Sequence, residues 1–320
     1  MSEKYLPLAA TIAVFLILFV AGGLLYNNFF STLVIGDILA DNAFVIIAAI
    51  GTTFVILSGG IDLSIGSMIG FVGVVMANLD AAGWHPLASA AMMIAFGAGF
   101  GALQGFIIDF CEIQPFIITL AGLFLLRGAC FMINLDAVPL RHPFVAAFAD
   151  ASLPLPGDGF LASSAIVMLV ALAAGIVIAH WTKFGADVYA IGGDRASAAL
   201  MGVPMRRTIV KIYALGGLYS ALGGVVYALY TSSGYPLAGQ GAELSAIAAV
   251  VLGGTLLTGG VGYVAGTLFG GMILGLIATL INFNGSLNGA WIMISGGLLL
   301  FLFIVLQRFL VGSLRARSAT

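Results

Sequence analysis

The sequence predicts an all-α polytopic membrane protein, and two observations lead to this prediction. First, 62% of the 320 residues are hydrophobic and only 8% are charged, with apolar runs of membrane-spanning length recurring from end to end. Second, the 44 glycines suit close helix packing in lipid, where small residues let backbones approach. The strands of a membrane β-barrel would alternate in polarity instead.

Apolar stretches bounded by charged, Pro or Gly residues predict about ten spans within a single transmembrane domain, residues 1–320. The first run is longer than a signal peptide needs, so we interpret it as a retained span. The predicted spans are residues 6–26, 42–58, 61–79, 87–108, 114–133, 162–181, 210–231, 243–258, 262–282 and 289–307.

Glycine pairs interrupt the predicted spans at three places. The second and third spans meet at Gly59 and Gly60, and the eighth and ninth are joined around Gly259 and Gly260, just after a further pair at Gly253 and Gly254. Short joints of this kind are typical of broken membrane helices, whose freed backbone groups lie inside the protein. We therefore predict helix breaks at these positions.

The distribution of basic residues predicts the orientation in the membrane. An N-terminus in the cytoplasm and an even number of spans place nearly all basic residues on the cytoplasmic side and leave Arg141 alone in an outer loop. Both termini are then cytoplasmic. The inner basic residues are Lys4, Lys183, Arg195, Arg206, Arg207, Lys211, Arg308, Arg315 and Arg317.

Two hydrophilic segments separate the spans. The outer one, residues 134–160, is rich in Pro and Asp and reads either as an ordered external loop that receives a partner or as a plain connection. The inner one, residues 183–210, contains Asp194 as a helix N-cap, Gly202 as a left-handed C-terminal residue and Pro204 as a stop. This pattern predicts a two-turn helix in the cytoplasm.

The predicted cytoplasmic helix is too apolar for a solvated linker. Ala198, Ala199, Leu200 and Met201 predict a face that docks on another protein, with arginines around it. The alternative is a helix that lies in the lipid interface. We assign the docking segment to Gly192, Gly193, Asp194, Arg195, Ala198, Ala199, Leu200 and Gly202.

The chain lacks the residues that several other functions need. None of its three lysines follows a glycine, so the phosphate-binding loop of an ATPase is missing. No nucleophile–base arrangement can be assembled, and the three histidines, His85, His142 and His180, show no metal-ligand spacing. A net charge of −2 without a basic tract gives no indication of nucleic acid. We expect no enzyme, no bound metal and no cofactor on this chain.

A small set of polar side chains within the spans supplies candidates for a translocation path or gate, since ionisable groups in a membrane are costly. Asp62 and Arg127 either form a buried pair or line an aqueous path, and we favour the pair for Arg127. Glu243 begins a span on the outer side, as a helix-start carboxylate or an outer-gate residue. The candidates are Ser58, Asp62, Gln104, Phe116, Thr119, Arg127 and Glu243.

Four motifs follow one another along the chain, at residues 56–66, at 115–121 with 127–128, at 189–194 with 198–203, and at 248–255 with 259–262 and 266–270. They resemble the ribose-type sugar permeases of bacterial ABC importers, and the resemblance covers nearly the whole chain. Within that family the chain looks most like a galactofuranose permease subunit, judging by residues 41–44, 124–128, 141–143, 281–286 and 306–308. Gln104, where many members carry Asn, and Tyr263, in place of a smaller residue, depart from the family pattern.

The resemblance implies a type II-like importer permease fold in the bacterial inner membrane. It also implies three kinds of protein partner: a second permease chain, with a heterodimer favoured, a cytoplasmic ATPase pair that carries the ATP and Mg²⁺ and docks on residues 183–210, and a periplasmic sugar-binding protein outside. The cargo is expected to be galactofuranose or a related pentose or hexose.

Two rival functions remain open from the residues alone. One is an ion-coupled secondary sugar transporter that uses Asp62 as a proton site and needs no ATPase. Two features weigh against this function: the spans contain no second acid near their middle, and a carrier that needs no ATPase does not need an apolar cytoplasmic helix. The other is a pore or membrane scaffold, against which the many glycines within spans weigh only weakly.

Overall fold

The computed structural model describes residues 6–285, 287 and 289–318, which form thirteen helices and four short strands. Lys4 and Ser286 lie outside the described residues, and so do the side chains of Arg308, Arg315 and Arg317. The helices are α1 (Leu6–Leu25), α2 (Thr32–Leu57), α3 (Ile65–Ala81), α4 (Pro86–Phe110), α5 (Pro115–Ile133), α6 (Pro143–Asp150), α7 (Ser163–Trp181), α8 (Lys183–Gly193), α9 (Arg195–Leu200), α10 (Met205–Thr231), α11 (Ala242–Leu252), α12 (Val264–Asn284) and α13 (Ala290–Ser318).

The helices confirm the polytopic all-α class. In the part of the chain that the structure describes, seven helices are long and apolar enough to cross a membrane, namely α1, α2, α4, α5, α7, α10 and α12. Shorter apolar helices are α3, α11 and the first part of α13. Together they occupy the places of the predicted spans.

Helix α2 lies at the centre of the bundle. Every residue from Ile46 to Leu57 is buried, so this half of the helix is surrounded by protein on all sides, as an evenly apolar helix requires. The helix begins ten residues earlier than predicted. Ser31 caps it by accepting a hydrogen bond from the Val34 amide at 3.2 Å, and the polar residues Asp37 and Asp41 in its first turns concealed its start.

Helices α4 and α10 pack along a glycine seam. Gly97, Gly101 and Gly105 follow one another at four-residue intervals on α4 and face the backbone of α10. A methyl group on Gly97 would lie 2.5 Å from the carbonyl oxygen of Gly217, and one on Gly105 would lie 2.9 Å from the Cα of Val210. Only glycine permits this approach of the two backbones.

The helices are interrupted at the positions that the glycine pairs predicted. Residues 58–64 separate α2 from α3, and residues 253–263 separate α11 from α12. A third interruption, residues 232–241 between α10 and α11, includes strand β4 (Ser233–Gly234), which pairs antiparallel with β1 (Val138–Pro139). The start of α3 packs against the start of α11, where Gly66 contacts the Glu243 side chain.

The two hydrophilic segments are ordered and lie at opposite ends of the bundle. Residues 134–160 contain β1, α6 and β2 (Ser152–Pro154), and β2 pairs with β3 (Phe160–Ala162). Residues 183–210 contain α8 and α9. We call the end with α8 and α9 the basic end, because Lys183, Arg195, Arg206, Arg207 and Lys211 all belong to it.

Candidate functional site

Helix α9 is a short, capped element at the basic end. Asp194 Oδ1 accepts a hydrogen bond from the Ala196 amide at 3.0 Å, and Oδ2 accepts one from the Ser197 hydroxyl at 2.6 Å. The Ser197 hydroxyl and the Ala196 amide hold the pKa of the Asp194 carboxyl below its usual value. Gly202 ends the helix with φ +81°. The predicted cap and left-handed stop are both present.

Helix α9 exposes part of its apolar surface. Leu200 is 90% exposed and Met201 is 71% exposed, and Ala199 is exposed beside them. Ala198 is fully buried, so the prediction that it shares the docking face is wrong. Because successive residues point to different sides of a helix, Ala198 faces the rest of the chain when its neighbours face outward.

One carboxylate holds α9 to the bundle. Asp109, in the last turn of α4, pairs with Arg195 at 3.4 Å and with Arg206 at 3.1 Å. The Arg206 guanidinium also lies 5.6 Å from the ring centre of Phe110. The sequence placed the arginines around α9 but did not predict their common partner. An acid in the last turn of an apolar span was the available signal.

Three glycine pairs from three segments meet where α8 ends. A methyl group on Gly259 would lie 2.8 Å from the Gly59 nitrogen and 3.1 Å from the Cα of Gly192. One on Gly260 would lie 2.8 Å from the Cα of Gly193. We call the contact among residues 59–60, 192–193 and 259–260 the glycine junction.

Two hydrogen bonds reinforce the glycine junction. The Gly260 amide donates to the Leu57 carbonyl at 2.8 Å, which joins the α11–α12 break to the end of α2. The Tyr189 hydroxyl donates to the Gly262 carbonyl at 2.8 Å, which joins α8 to the same break. Burial raises the pKa of Tyr189 to about 12, so this hydroxyl stays a donor at neutral pH. The segment that carries α9 is thus attached directly to two helix breaks.

The α2–α3 break leads from the glycine junction to Asp62. The Tyr213 hydroxyl of α10 lies 3.4 Å from the Ile61 carbonyl. Asp62 is only 2% exposed, and its Oδ1 accepts from the Ser64 amide at 2.8 Å and from the Ser64 hydroxyl at 2.7 Å. Asp62 therefore fixes the turn that starts α3.

The predicted pair between Asp62 and Arg127 does not form. Within the described residues, Asp109 makes the ion pairs, and neither Asp62 nor Arg127 takes part in one. Arg127 instead donates to the carbonyls of Pro236 and Ala238, the second at 3.0 Å. Because carbonyls of the unwound α10–α11 segment are free to accept, they satisfy a guanidinium that has no carboxylate within 4 Å among the described residues.

Glu243 lies in the first turn of α11, as predicted, and its carboxylate packs against Gly66 of α3. Its Oε2 is buried and has no hydrogen-bond partner among the described atoms. Gly70, one turn further along α3, lies against the Arg127 guanidinium. Both charged head groups therefore contact the same face of α3, about one helical turn apart.

The remaining candidates are spread over the bundle. Gln104 is buried, with Oε1 3.3 Å from the Ser64 hydroxyl and Nε2 without a partner among the described atoms. Thr119 is buried and donates to the Pro115 carbonyl of its own helix, and Ser58 likewise donates to the Val55 carbonyl. Phe116 is 48% exposed on the surface of α5. The structure thus brings Gln104 next to the Asp62 turn but not these other three.

Two histidines that are far apart in the sequence meet at the end opposite to the basic end. The His85 and His142 rings lie 4.7 Å apart between centres. Each Nδ1 accepts a helix-starting amide, from Leu87 at 3.2 Å and from Phe144 at 3.1 Å. Among the described residues no group of three or more His, Cys, Asp or Glu side chains is arranged to hold a metal ion. Helix capping accounts for both rings.

Comparison with known proteins gives the family. Residues 34–304 match the family described as branched-chain amino acid transport system / permease component. The chain belongs to this permease family. No solved structure shows significant similarity to it.

Curated relatives give the class of this permease. It is 48% identical over 309 residues to the inner membrane ABC transporter permease protein YjfF of Escherichia coli K12, covering 96% of this chain and 93% of the relative. It is 34% identical over 314 residues to the fructose import permease protein FruG of Bifidobacterium longum, covering 96% and 92%. It is 37% identical over 263 residues to the ribose import permease protein RbsC of Escherichia coli K12, covering 81% and 80%.

These similarities confirm the resemblance that the motifs indicated. The permease is a multi-pass membrane component of the ribose-type sugar ABC importers and acts in transport, not as an enzyme.

Proposed function

We propose that this permease moves a monosaccharide into the cytoplasm, driven by a separate cytoplasmic ATPase that binds α9. The observation that carries the proposal is the position of α9. Its Leu200 and Met201 are turned away from the bundle and exposed, and the segment before it is built into the glycine junction. An apolar surface on a helix linked to helix breaks fits a docking element for a motor protein.

The glycine junction supplies a route for the coupling. ATP-driven closure of the ATPase pair pushes on α9, and the backbone contacts at Gly192 and Gly193 pass the displacement to the α2–α3 and α11–α12 breaks. The α2–α3 break contains Asp62 and leads into the start of α3. A shift between two packings of these segments is the kind of change that alternating access requires.

The cargo that we propose is galactofuranose or a related pentose or hexose. Relatives named for fructose, ribose and D-allose import support a monosaccharide. The galactofuranose assignment rests on the resemblance of residues 41–44, 124–128, 141–143, 281–286 and 306–308 to that subfamily. Binding of candidate sugars to the partner receptor is the measurement that names the cargo.

The remaining partners follow from the same proposal. We expect the basic end to face the cytoplasm, because basic residues are retained on that side, and the same rule predicts cytoplasmic termini. A periplasmic sugar-binding protein docks near the external loop, residues 134–160, and a second permease chain, different from this one, completes the pathway. ATP and Mg²⁺ are bound by the ATPase pair.

The test is to place a charge on the exposed face of α9. In the assembled importer, Leu200→Asp abolishes co-purification of the ATPase and ATP-driven uptake, while the amount of permease in the membrane stays unchanged. Leu135→Asp is the matched control, because Leu135 is 74% exposed at the opposite end; it leaves ATPase binding intact. Normal ATPase binding by Leu200→Asp refutes the docking assignment.

A second measurement separates the proposal from an ion-coupled carrier. Vesicles that contain the importer and enclosed ATP are treated with an uncoupler. Uptake continues if ATP drives transport. Uptake that stops with the uncoupler, or that proceeds with the permease reconstituted alone, identifies the secondary transporter.

A further inference from the structure

A groove with a cavity volume of about 290 Å³ opens on the side of the bundle between α4, α7, α8 and α10. All of its lining side chains are apolar except one lysine. They are Ala98, Ile178, Phe184, Lys211, Ala214, Leu215 and Leu218. Three of the four helices, α4, α7 and α10, are long and apolar enough to cross a membrane, so most of the groove is formed by membrane-spanning helices.

The groove lies in the half of the bundle next to the basic end. Lys211 is near the start of α10, and the lining continues along this helix to Leu218, roughly 10 Å further at the standard rise. Ile178 lies in the last turn of α7. The groove therefore runs from the membrane boundary into one leaflet, along the direction of an acyl chain.

The charge at the mouth of the groove selects the head group. Lys211 is exposed, and no carboxylate lies within 4 Å of its ammonium in the described part of the chain. Trp181 is 77% exposed at the end of α7 and Lys183 follows it. Exposed Trp and Lys side chains at a helix end are typical of the level of the lipid head groups.

We propose that this groove binds an anionic phospholipid, with one acyl chain along Ala214, Leu215 and Leu218 and the phosphate on Lys211. The cavity is slightly smaller than the usual ligand pocket, which suits a single chain. An unpaired ammonium next to an apolar groove at the basic end attracts the anionic lipids of that leaflet and supplies a contact for their phosphate.

The bound lipid contacts helix α8, which precedes α9. Phe184, which lines the groove, belongs to α8 and packs on Phe54 of α2 with ring centres 6.3 Å apart. The same helix α8 ends in the glycine junction. A chain in the groove therefore supports α8 from the lipid side, so lipid occupancy affects how firmly α8 is held.

The experiment uses the assembled importer, purified and reconstituted in vesicles of phosphatidylcholine with or without phosphatidylglycerol. Native mass spectrometry counts the lipids retained by the permease. The wild type retains phosphatidylglycerol in preference to phosphatidylcholine, and Lys211→Gln lowers that preference about fivefold. Ala214→Phe, which fills the groove, removes retention of the site's lipid of either kind.

Leu103→Phe is the matched control, since Leu103 is exposed on α4 and does not line the groove; it leaves retention unchanged. Equal retention of phosphatidylglycerol by the wild type and Lys211→Gln overturns the head-group assignment, and lipid retention by Ala214→Phe overturns the groove assignment. Loss of the second permease chain in Ala214→Phe also overturns the proposal, because a protein then covers the groove. These readouts do not depend on which sugar is carried or on ATPase docking.

Discussion

Gly192 lies directly against the carbonyl oxygen of Leu57, so that even a methyl group at position 192 would overlap it. Its neighbour Gly193 has nothing within 4 Å of the place where a Cβ would stand. Two adjacent glycines thus differ sharply in the space around them. The contact joins the segment before α9 to the end of the central helix α2.

We predict that Gly192→Ala uncouples the importer and that Gly193→Ala does not. The added methyl group forces α8 away from α2, and overpacking of this kind costs about 1–3 kcal/mol. Uptake in reconstituted vesicles is expected to fall strongly in Gly192→Ala, with ATP hydrolysis continuing. Gly193→Ala transports like the wild type. Equal uptake by both variants would mean that the junction carries no coupling.

Asp109 gives a second prediction, because it holds two arginines at once. The arginines are 65% and 63% exposed and Asp109 only 10%, so each pair contributes about 1 kcal/mol or less. Asp109→Asn is therefore expected to lower the midpoint of thermal unfolding more than Arg195→Gln or Arg206→Gln alone, and about as much as both together. High salt should reduce the difference. A larger loss from either single arginine change would contradict a shared partner.

Arg127 gives a third prediction, which concerns the α10–α11 segment. Lysine keeps the charge but has neither the fork nor the reach of the guanidinium that contacts the Pro236 and Ala238 carbonyls. Arg127→Lys is expected to loosen residues 236–238, measured as increased proteolysis or hydrogen exchange there, and to reduce uptake with the ATPase still bound. Unchanged hydrogen exchange and proteolysis of residues 236–238 in Arg127→Lys would contradict this prediction.

Glu243 gives a fourth prediction, because its buried Oε2 has no partner among the described atoms. Replacing a charged oxygen without a partner by a neutral amide lowers the cost of burial. Glu243→Gln is expected to raise the free energy of unfolding by about 1 kcal/mol. Glu112→Gln, an exposed change, serves as the control and has no effect. Destabilisation by Glu243→Gln would show that the carboxylate has a partner.

Asp194 gives a prediction about pH. Its pKa is lowered in the folded chain by the hydrogen bonds from Ser197 and Ala196. A lowered pKa means that the contribution to stability is present above the usual value of 3.8 and is lost as the pH falls through the folded pKa. ATPase co-purification should therefore be constant from neutral pH down to about pH 5. In Asp194→Ala it should be weaker throughout that interval, and a decline of the wild type above pH 5 would contradict the cap.

The sequence predicted the features that depend on neighbours along the chain. The apolar runs predicted the helices, and Asp194 with Gly202 predicted the bounds of α9, because caps and left-handed stops are local. The glycine pairs likewise predicted the breaks. The start of α2 shows the limit of this reasoning, because the predicted span begins ten residues too late. Asp37 and Asp41 were interpreted as a boundary, although the helix continues through them.

Contacts across the fold were not predictable in the same way. Arg127 was assigned to Asp62 because both are charged residues in spans, but the unwound residues 236–238 supply the carbonyls that bind it. The joint role of Asp109 and the contact of His85 with His142 depend on how distant helices pack. The meeting of three glycine pairs is also a tertiary feature, since each pair by itself predicts only a turn or a break.

The seam of Gly97, Gly101 and Gly105 leaves no layer of side chains between α4 and α10 that could slide or repack. We therefore expect the two helices to move together as one rigid unit. Asp109 lies at one end of this unit, in the last turn of α4. The Tyr213 hydroxyl of α10 contacts the Ile61 carbonyl in the α2–α3 break. We therefore expect a displacement of α9, passed on through the Arg195–Asp109 ion pair, to reach the segment that holds Asp62.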